Sequence, residues 1–272
     1  MHVTDRPPTR PISHTRVFTL AKEGKTAAEN EDACACATRP GADIYVVADG
    51  ASDSVFSGLW AQMLAHRLAH NVPPRNDAPT WRTWIEAVQQ EWERTVRADP
   101  VPWYVEPKIR EGAFATCVAL IVQRPTNGSD SARWGAMAVG DTCLFHIQTS
   151  DGGIAPEASQ AARGFPISDP ATFGLNPLAL SSNSASNEAV WPAVAIAGGV
   201  WCPGDSFVLA TDALAHWITQ EIVPTGAWDR LLSLMQSSDD QAFEALMRAE
   251  WERGTLRNDD ITLLLVQTGA AP

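Results

Sequence analysis

The sequence predicts an α+β fold in which α-helices cover both faces of stacked antiparallel β-sheets. Three observations lead to this prediction: apolar runs of strand length end at turn residues, other segments carry apolar residues at helical spacing, and the elements follow the order strands, helices, strands, helices and a last strand. The chain of 272 residues shows no internal repeat and no linker composition. We therefore expect a single domain over residues 16–268, preceded by a flexible lead-in at residues 1–15.

The first half of the chain contains strand patterns followed by two helical patterns. Residues 17–21 form a plausible first strand, and residues 33–38 and 43–48 are predicted to pair antiparallel because a Pro-Gly turn separates them. Apolar side chains then recur at i, i+3 and i+4 over residues 55–68 and 81–96, which predicts two amphipathic helices.

The second half begins with strand patterns at residues 114–123, 134–139 and 142–148. Gly140-Asp141 is predicted to join the last two as a two-residue hairpin turn. Residues 149–189 are rich in Ser, Pro, Gly and Asn without periodicity, which predicts an irregular, flap-like insertion. The remaining predicted elements are a strand at 206–212, helices at 213–220, 227–236 and 240–253, and a last strand at 261–267.

The composition limits the partners and the location that we expect. The formal net charge is −12, with 32 acidic against 20 basic residues, and this disfavours nucleic acid and anionic membranes as partners. No apolar run reaches the ~18 residues that a membrane-spanning helix requires. The five cysteines form no C-x-x-C pair, so we expect reduced thiols in a cytoplasmic protein.

Acidic residues recur where predicted buried strands end. The strand at residues 43–48 stops at Asp49-Gly50, a pattern that alone is typical of a common Asp-Gly turn. Several carboxylates at strand ends would instead form the oxygen-rich site that Mg²⁺ or Mn²⁺ prefers. The pattern recurs, at Asp141, Asp212 and Asp259-Asp260.

Two further carboxylates, Glu31 and Asp32, precede the strand at residues 33–38. Antiparallel pairing of that strand with residues 43–48 would bring both to the end of the sheet that carries Asp49. Other chemistries find little support in the sequence. It contains no zinc-type His-Cys cluster, no G-x-S-x-G elbow, no P-loop and no dinucleotide fingerprint.

Five segments, in this order, resemble the motifs of the metal-dependent protein phosphatases, the PPM or PP2C family, in its bacterial form. The resemblance extends over roughly residues 15–268 and implies a four-layer αββα domain, with a sandwich of two antiparallel sheets at its centre. It also implies hydrolysis of phosphoserine or phosphothreonine by a water activated between two metal ions, without a phosphoenzyme. The segments are Asn30-Glu31-Asp32-Ala33, Val46-Val47-Ala48-Asp49-Gly50, Ala138-Val139-Gly140-Asp141-Thr142, Leu209-Ala210-Thr211-Asp212 and Asn258-Asp259-Asp260-Ile261-Thr262.

The resemblance implies a role for each matching residue. Asp49 would bridge two Mn²⁺ or Mg²⁺ ions, the Gly50 carbonyl would bind one of them, and Asp212 and Asp259 would bind the other. Asp260 would be the structural neighbour of Asp259, and a register in which the two exchange roles stays open.

The remaining matching residues would complete the site. Glu31 and Asp32 would hold metal-bound waters or bind metal directly and would act with Asp49 in catalysis. Asp141 would join Asp212 in binding a third, looser ion.

Two positions depart from the family pattern. Many members carry a phosphate-binding arginine where this chain has Ala27, and Lys25 is the candidate substitute, although a lysine cannot make the bidentate contact. Some members carry a histidine that suits protonation of the leaving group where this chain has Ala51.

The favoured function is therefore a serine/threonine phosphoprotein phosphatase that acts as a monomer on targets of a cognate kinase. The second hypothesis is a catalytically weak, regulatory or phosphoprotein-binding module, and the missing arginine favours it. A phosphatase for small phosphoesters is a third.

Overall fold

Two antiparallel β-sheets form the centre of the molecule. The structure, a computed structural model, describes residues 12–98, 100–125, 131–150, 153–154, 163–174, 176–236 and 240–269. The smaller sheet has the strand order β1-β12-β11-β6. Its strands are β1 (Ile12–Leu20), β6 (Cys143–Ile147), β11 (Ser206–Ala210) and β12 (Ile261–Thr268).

The larger sheet has the strand order β10-β5-β4-β3-β2, and the short β9 pairs with β4 beside this path. Its strands are β2 (Ala33–Arg39), β3 (Ala42–Gly50), β4 (Phe114–Gln123), β5 (Ala132–Val139), β9 (Leu180–Ser181) and β10 (Ala195–Trp201). A separate short hairpin consists of β7 (Thr149–Ser150) and β8 (Gly153–Ile154).

Helices cover the outer face of each sheet. Two long helices pack on the larger sheet, and the C-terminal helices pack on the smaller one. No helix among the described residues is long and apolar enough to cross a membrane. The α-helices are α1 (Ser57–His70), α2 (Ala78–Val96), α3 (Glu106–Glu111), α4 (Asp212–Trp217), α5 (Asp229–Leu232) and α6 (Gln241–Glu252), and a π-helical turn, Ile218–Ile222, follows α4.

Three buried apolar clusters hold the two sheets and their helices together. Side chains of β3 alternate between two of these clusters. Ile44 and Val46 face the helices on the larger sheet, whereas Tyr45 and Val47 face the smaller sheet. Because side chains alternate along a strand, Asp49 continues the series that points between the sheets. The predicted αββα arrangement is confirmed, and it explains why a carboxylate follows an apolar strand.

The N-terminal boundary was predicted wrongly. β1 begins at Ile12, within the expected lead-in, and pairs antiparallel with β12 over its whole length. Most side chains of its first half are not buried, so hydrophobic periodicity gave no signal for a strand held by backbone hydrogen bonds. Residues 1–11 lie outside the described part of the chain.

The predicted hairpin at Gly140-Asp141 was also wrong. β5 belongs to the larger sheet and β6 to the smaller one, so this dipeptide carries the chain from one sheet to the other. Gly140 has φ of +89°, and a Cβ atom there would lie 2.3 Å from the methyl carbon of Thr116. The tight crossover therefore requires glycine and leaves Asp141 at the junction of the sheets.

Residues 149–189 were predicted to form an irregular, flap-like insertion, and the described C-terminal part of this segment packs against the domain. β9 adds to the end of β4, with Ala115 opposite Leu180, and both Leu180 and Asn187 are fully buried. Residues 151–152, 155–162 and 175 of this segment lie outside the described residues.

Replacement of Trp60 by alanine should destabilise the fold strongly. Trp60 on α1 is fully buried, and its indole N–H donates to the Leu180 carbonyl at 2.8 Å. Trp60→Ala should lower the free energy of unfolding in urea by about 3–5 kcal/mol, because it leaves a large cavity. Trp103→Ala is the control, since Trp103 is 86% exposed, and should change it by less than about 0.5 kcal/mol. Similar losses for the two variants would contradict the packing described here.

Candidate metal centre

Four of the predicted carboxylates line one cavity where the two sheets meet. The cavity has a volume of about 600 Å³ and is lined by Asp49, Asp141, Asp212 and Asp259, together with Gly50. Each lies at the end of a strand or in the turn next to one, as the sequence predicted, and they come from β3, the β5–β6 crossover, α4 and the turn before β12.

Asp49 lies at the centre of this group. Its carboxylate opens on the cavity and is otherwise surrounded by protein. Burial raises the pKa of Asp49 well above its usual range, and the negative charges of Asp32, Asp212, Asp141 and Asp259 raise it further. Such a group gains from a bound cation, because a cation stabilises the ionised form that its surroundings disfavour.

Asp32 is close enough to Asp49 to interact with its charge, and one of its oxygens is unsatisfied. The Thr211 hydroxyl donates to Asp32 Oδ2 at 3.0 Å, whereas Oδ1 is buried without a hydrogen-bond partner among the described residues. Burial raises the pKa of Asp32, and although the hydroxyls of Thr211 and Thr262 lower it, they do not offset the burial. The Thr262 hydroxyl faces the carboxylate without completing a well-formed hydrogen bond. A buried oxygen of this kind suits a metal ion or a metal-bound water.

Asp141 forms the side of the cavity below the sheet crossover. Burial, followed by the charge of Asp212, raises its pKa to about 7, although the nearby Thr116 hydroxyl acts to lower it. Thr116 is fixed in turn by a hydroxyl–hydroxyl contact of 2.6 Å with Thr142. Asp141 therefore has a fixed position and a carboxylate whose charge is only weakly stabilised by protein.

Asp260 has a structural role that separates it from Asp259. It is 4% exposed, and its two oxygens accept hydrogen bonds from the backbone N–H groups of Lys22 at 2.9 Å and Glu31 at 3.0 Å. Asp260 thus anchors two N-terminal segments to the start of β12. Asp259 lines the cavity instead, and this favours the register in which Asp259 is the metal ligand.

Two basic side chains that sequence analysis did not identify lie against these carboxylates. Lys22 Nζ is 3.5 Å from Asp259 Oδ1 and 3.7 Å from Glu31 Oε2. Burial acts to lower the pKa of Lys22, but the charges of Asp260, Asp259 and Glu31 outweigh it and the pKa is raised.

Arg257 pairs with Asp212, and Asp259 and Asp141 also interact with its charge. The contact between Lys22 and Asp259 arises because β1 pairs with β12. It could not be predicted from the sequence without knowing that these two strands pair.

Glu31 and Lys25 lie away from the main cavity. Glu31 accepts a hydrogen bond from the Ser57 hydroxyl and lines a neighbouring outer cavity of about 450 Å³, which also contains Lys25. Lys25 pairs with Glu29 at 3.1 Å, and the structure does not place it beside the four carboxylates of the main cavity. Gly50 packs closely against the backbone next to Glu31, because a Cβ atom there would lie 2.8 Å from the Glu31 and Ser57 carbonyl oxygens.

The carboxylates of the cavity are suitable ligands for Mg²⁺ or Mn²⁺, but two of them, Asp212 and Asp259, are paired with basic side chains. Carboxylate oxygens, one of them buried and unpaired, are the ligands that these ions prefer. Within the described residues, no three His, Cys, Asp or Glu side chains already surround one point suited to a metal ion. Metal binding would have to displace the ion pairs of Asp212 with Arg257 and of Asp259 with Lys22.

The raised pKa values predict that the metal-free protein loses stability as the pH rises. Asp141 titrates near 3.8 when unfolded and at about 7 when folded, and the pKa values of Asp49, Asp32 and Asp259 are raised as well. The native state therefore binds more protons than the unfolded state across this interval, so the free energy of unfolding falls as the pH rises through it.

In EDTA, the melting temperature should fall between pH 5 and pH 8, and Asp141→Asn should reduce that fall. Saturating Mn²⁺ should raise the melting temperature most at pH 8, where the carboxylates are ionised. A melting temperature that rises over this interval in EDTA, or that Mn²⁺ leaves unchanged, would contradict the described electrostatics.

Solved structures of serine/threonine phosphatases have a fold similar to that of this chain. The serine/threonine phosphatase Stp1 from Staphylococcus aureus matches with a TM-score of 0.55 and 15% identity, over 99% of this chain and 100% of that chain. The Mycobacterium tuberculosis serine/threonine phosphatase PstP/Ppp matches with a TM-score of 0.52 and 18% identity, over 95% of this chain and 100% of that chain.

The catalytic domain of the serine/threonine phosphatase PstP, solved in complex with two manganese ions, matches with a TM-score of 0.50 and 17% identity, over 94% of this chain and 99% of that chain. At these identities the likeness shows the fold alone. Comparison with curated proteins gives no match.

Comparison of the sequence with models of protein families identifies a family as well as a fold. The model of the family described as protein phosphatase 2C matches residues 23–257, which is most of the chain and includes Asp49, Asp141 and Asp212 of the cavity, whereas Asp259 lies two residues beyond the match. The chain belongs to the protein phosphatase 2C family.

Proposed function

We propose that this protein is a metal-dependent serine/threonine phosphoprotein phosphatase that uses two Mn²⁺ or Mg²⁺ ions. The observation that carries the proposal is the convergence of Asp49, Asp141, Asp212 and Asp259 in one cavity, with the charge of Asp32 acting on Asp49. Carboxylates placed together at a cost in repulsion, with raised pKa values, are typical of functional sites. Membership of the phosphatase family identifies the chemistry that such a site would support.

The residues have distinct roles in this proposal. Asp49 would contact both ions, the Gly50 carbonyl would bind one of them, and Asp212 and Asp259 would bind the other. When bound, the ions would lower the pKa of a water and polarise the phosphoryl oxygens, which are the two requirements for hydrolysis of a phosphomonoester.

Further carboxylates would complete the site. Asp32 and Glu31 would orient metal-bound waters, because Asp32 Oδ1 lacks another partner among the described residues and Glu31 is held by the Ser57 hydroxyl. Asp141 and Asp212 could hold a third ion.

The remaining walls of the main cavity suit a phosphorylated side chain on a protein. Besides the carboxylates, the cavity is lined by Phe114, Pro177 and Leu178 and by Lys108 on α3. A wide, partly apolar cavity can receive a side chain that projects from a polypeptide, and this favours a phosphoprotein over a small phosphoester. We propose that its substrates are targets of a cognate serine/threonine kinase.

A regulatory, catalytically weak module is the second candidate. Ala27 and Ala51 remove the two side chains that family members use to bind phosphate and to protonate the leaving group. In addition, Lys22 and Arg257 neutralise part of the carboxylate charge. The retention of every metal carboxylate favours the phosphatase, and turnover measurements separate the two.

Asp49→Asn should abolish metal-dependent turnover. We expect the wild type to release phosphate from a phosphothreonine peptide with Mn²⁺ and not with EDTA, and the variant to lose about a hundredfold or more in kcat. Asp240→Asn is the control, because Asp240 is an exposed aspartate that pairs with Arg16 outside the cavity. Mn²⁺ binding without turnover in the wild type would favour the regulatory module, and equal activity of both variants would refute the assigned role of Asp49.

Arg257→Ala should bind Mn²⁺ more tightly than the wild type. The Arg257 guanidinium pairs with Asp212, so a metal ion must compete with it and then experience its charge. Calorimetry should show an affinity gain of about threefold to tenfold at low salt, as expected for loss of a partly exposed cation. Arg248→Ala, which removes an arginine paired with the exposed Glu244, should leave the affinity unchanged. Weaker binding by Arg257→Ala would show that Arg257 supports the metal site.

A further inference from the structure

We infer that Lys22 binds the phosphoryl group of the substrate, an assignment that rests on the phosphatase function proposed above. The Lys22 side chain is 20% exposed, and its ammonium group donates a hydrogen bond to Ser52 Oγ at 2.8 Å. Ser52 lies two residues after Gly50 and lines both the main and the outer cavity. Lys22 itself lines the outer cavity, and its ammonium group contacts a residue that both cavities share and lies 3.5 Å from Asp259, a proposed metal ligand.

The backbone around Lys22 is fixed by hydrogen bonds on consecutive residues. The Lys22 N–H donates to Asp260 Oδ1 at 2.9 Å, and the Glu23 N–H donates to Asn258 Oδ1 at 2.8 Å. Leu20, two residues earlier, pairs with Ile261 in the β1–β12 ladder. Lys22 is thus held in register with the Asn258-Asp259-Asp260 turn, so binding of phosphate through its side chain requires no ordering of the loop.

The charges around Lys22 indicate why it would change partners when substrate binds. Its ammonium nitrogen lies 3.5 Å from Asp259, 3.7 Å from Glu31 and 3.8 Å from Asp260. When Asp259 and Glu31 share their charge with divalent cations, the attraction that holds the ammonium group among them weakens. A phosphoryl dianion at the same place restores an anionic partner and accepts a charge-assisted hydrogen bond.

Two other basic residues of the region are less well placed. Lys25, on the same loop, also lines the outer cavity, but it pairs with the exposed Glu29. Arg257 pairs with Asp212. Ala27 carries no charge at the position where an arginine is expected. Lys22 is the basic side chain that contacts both Asp259 and the turn after Gly50.

The test compares Lys22→Ala, Lys22→Arg and the control Lys25→Ala in the Mn²⁺-loaded protein. Binding of inorganic phosphate is measured by calorimetry, and KM and kcat are measured with a phosphothreonine peptide. Lys22→Ala should weaken phosphate binding by about tenfold to a hundredfold, the usual value of a hydrogen bond to a charged group. It should also raise KM more than it lowers kcat.

The conservative variant and the control distinguish phosphate binding from a structural role. Lys22→Arg should recover most of the phosphate affinity, and Lys25→Ala should behave as the wild type. Unchanged phosphate affinity in Lys22→Ala would overturn the assignment. An equal loss in Lys25→Ala would also overturn it, as would a loss that follows the disappearance of a Mn²⁺ site in a separate metal titration.

The same measurements separate this assignment from the proposed function. Phosphate binding that depends on Lys22 in a protein without turnover would support the assignment and refute the phosphatase. Turnover with equal phosphate affinity in the wild type and in Lys22→Ala would do the reverse. A wild type that neither binds phosphate nor hydrolyses the peptide would refute both.

Discussion

Carboxylates that crowd between two β-sheets repel one another, and the rest of the site is arranged around this repulsion. Burial and the charges of its neighbours raise the pKa of Asp49 well above its usual range. Two basic side chains, Lys22 beside Asp259 and Arg257 beside Asp212, balance part of the charge. Protons, these basic groups and divalent cations are three ways to compensate the same excess of negative charge. In the function proposed here, ions of charge two would compensate most of it.

The fold produces this crowding through two local features. Strand alternation places apolar residues of β3 on both faces of the larger sheet and then directs Asp49 between the sheets. The crossover at Gly140 carries the chain into the smaller sheet and leaves Asp141 at the junction. Asp260 then ties Lys22 and Glu31 to β12 through their backbone N–H groups, so both sheets contribute to one rigid site.

Local patterns predicted those features of the protein that depend on neighbouring residues. The β2–β3 pairing, the two long helices and the strand-end positions of Asp49 and Asp212 follow from periodicity and turn residues, and the structure confirms them. The start of β1, the sheet crossover at Gly140 and the contacts of Lys22 and Arg257 depend on which strands pair across the chain. No local pattern contains that information, because β1 and β12 lie at opposite ends of the sequence. The roles of the individual carboxylates came from family resemblance, and they remain proposals.

The central claim is that divalent cations bind among these carboxylates and displace the basic side chains. A crystal grown with Mn²⁺ and measured at the manganese absorption edge tests it most directly. The account predicts two anomalous peaks that share Asp49 as a ligand, with Asp212 and Asp259 at one of them and the Asp259–Lys22 contact broken. An absence of peaks in this cavity at saturating Mn²⁺, or peaks only at surface carboxylates, would contradict it.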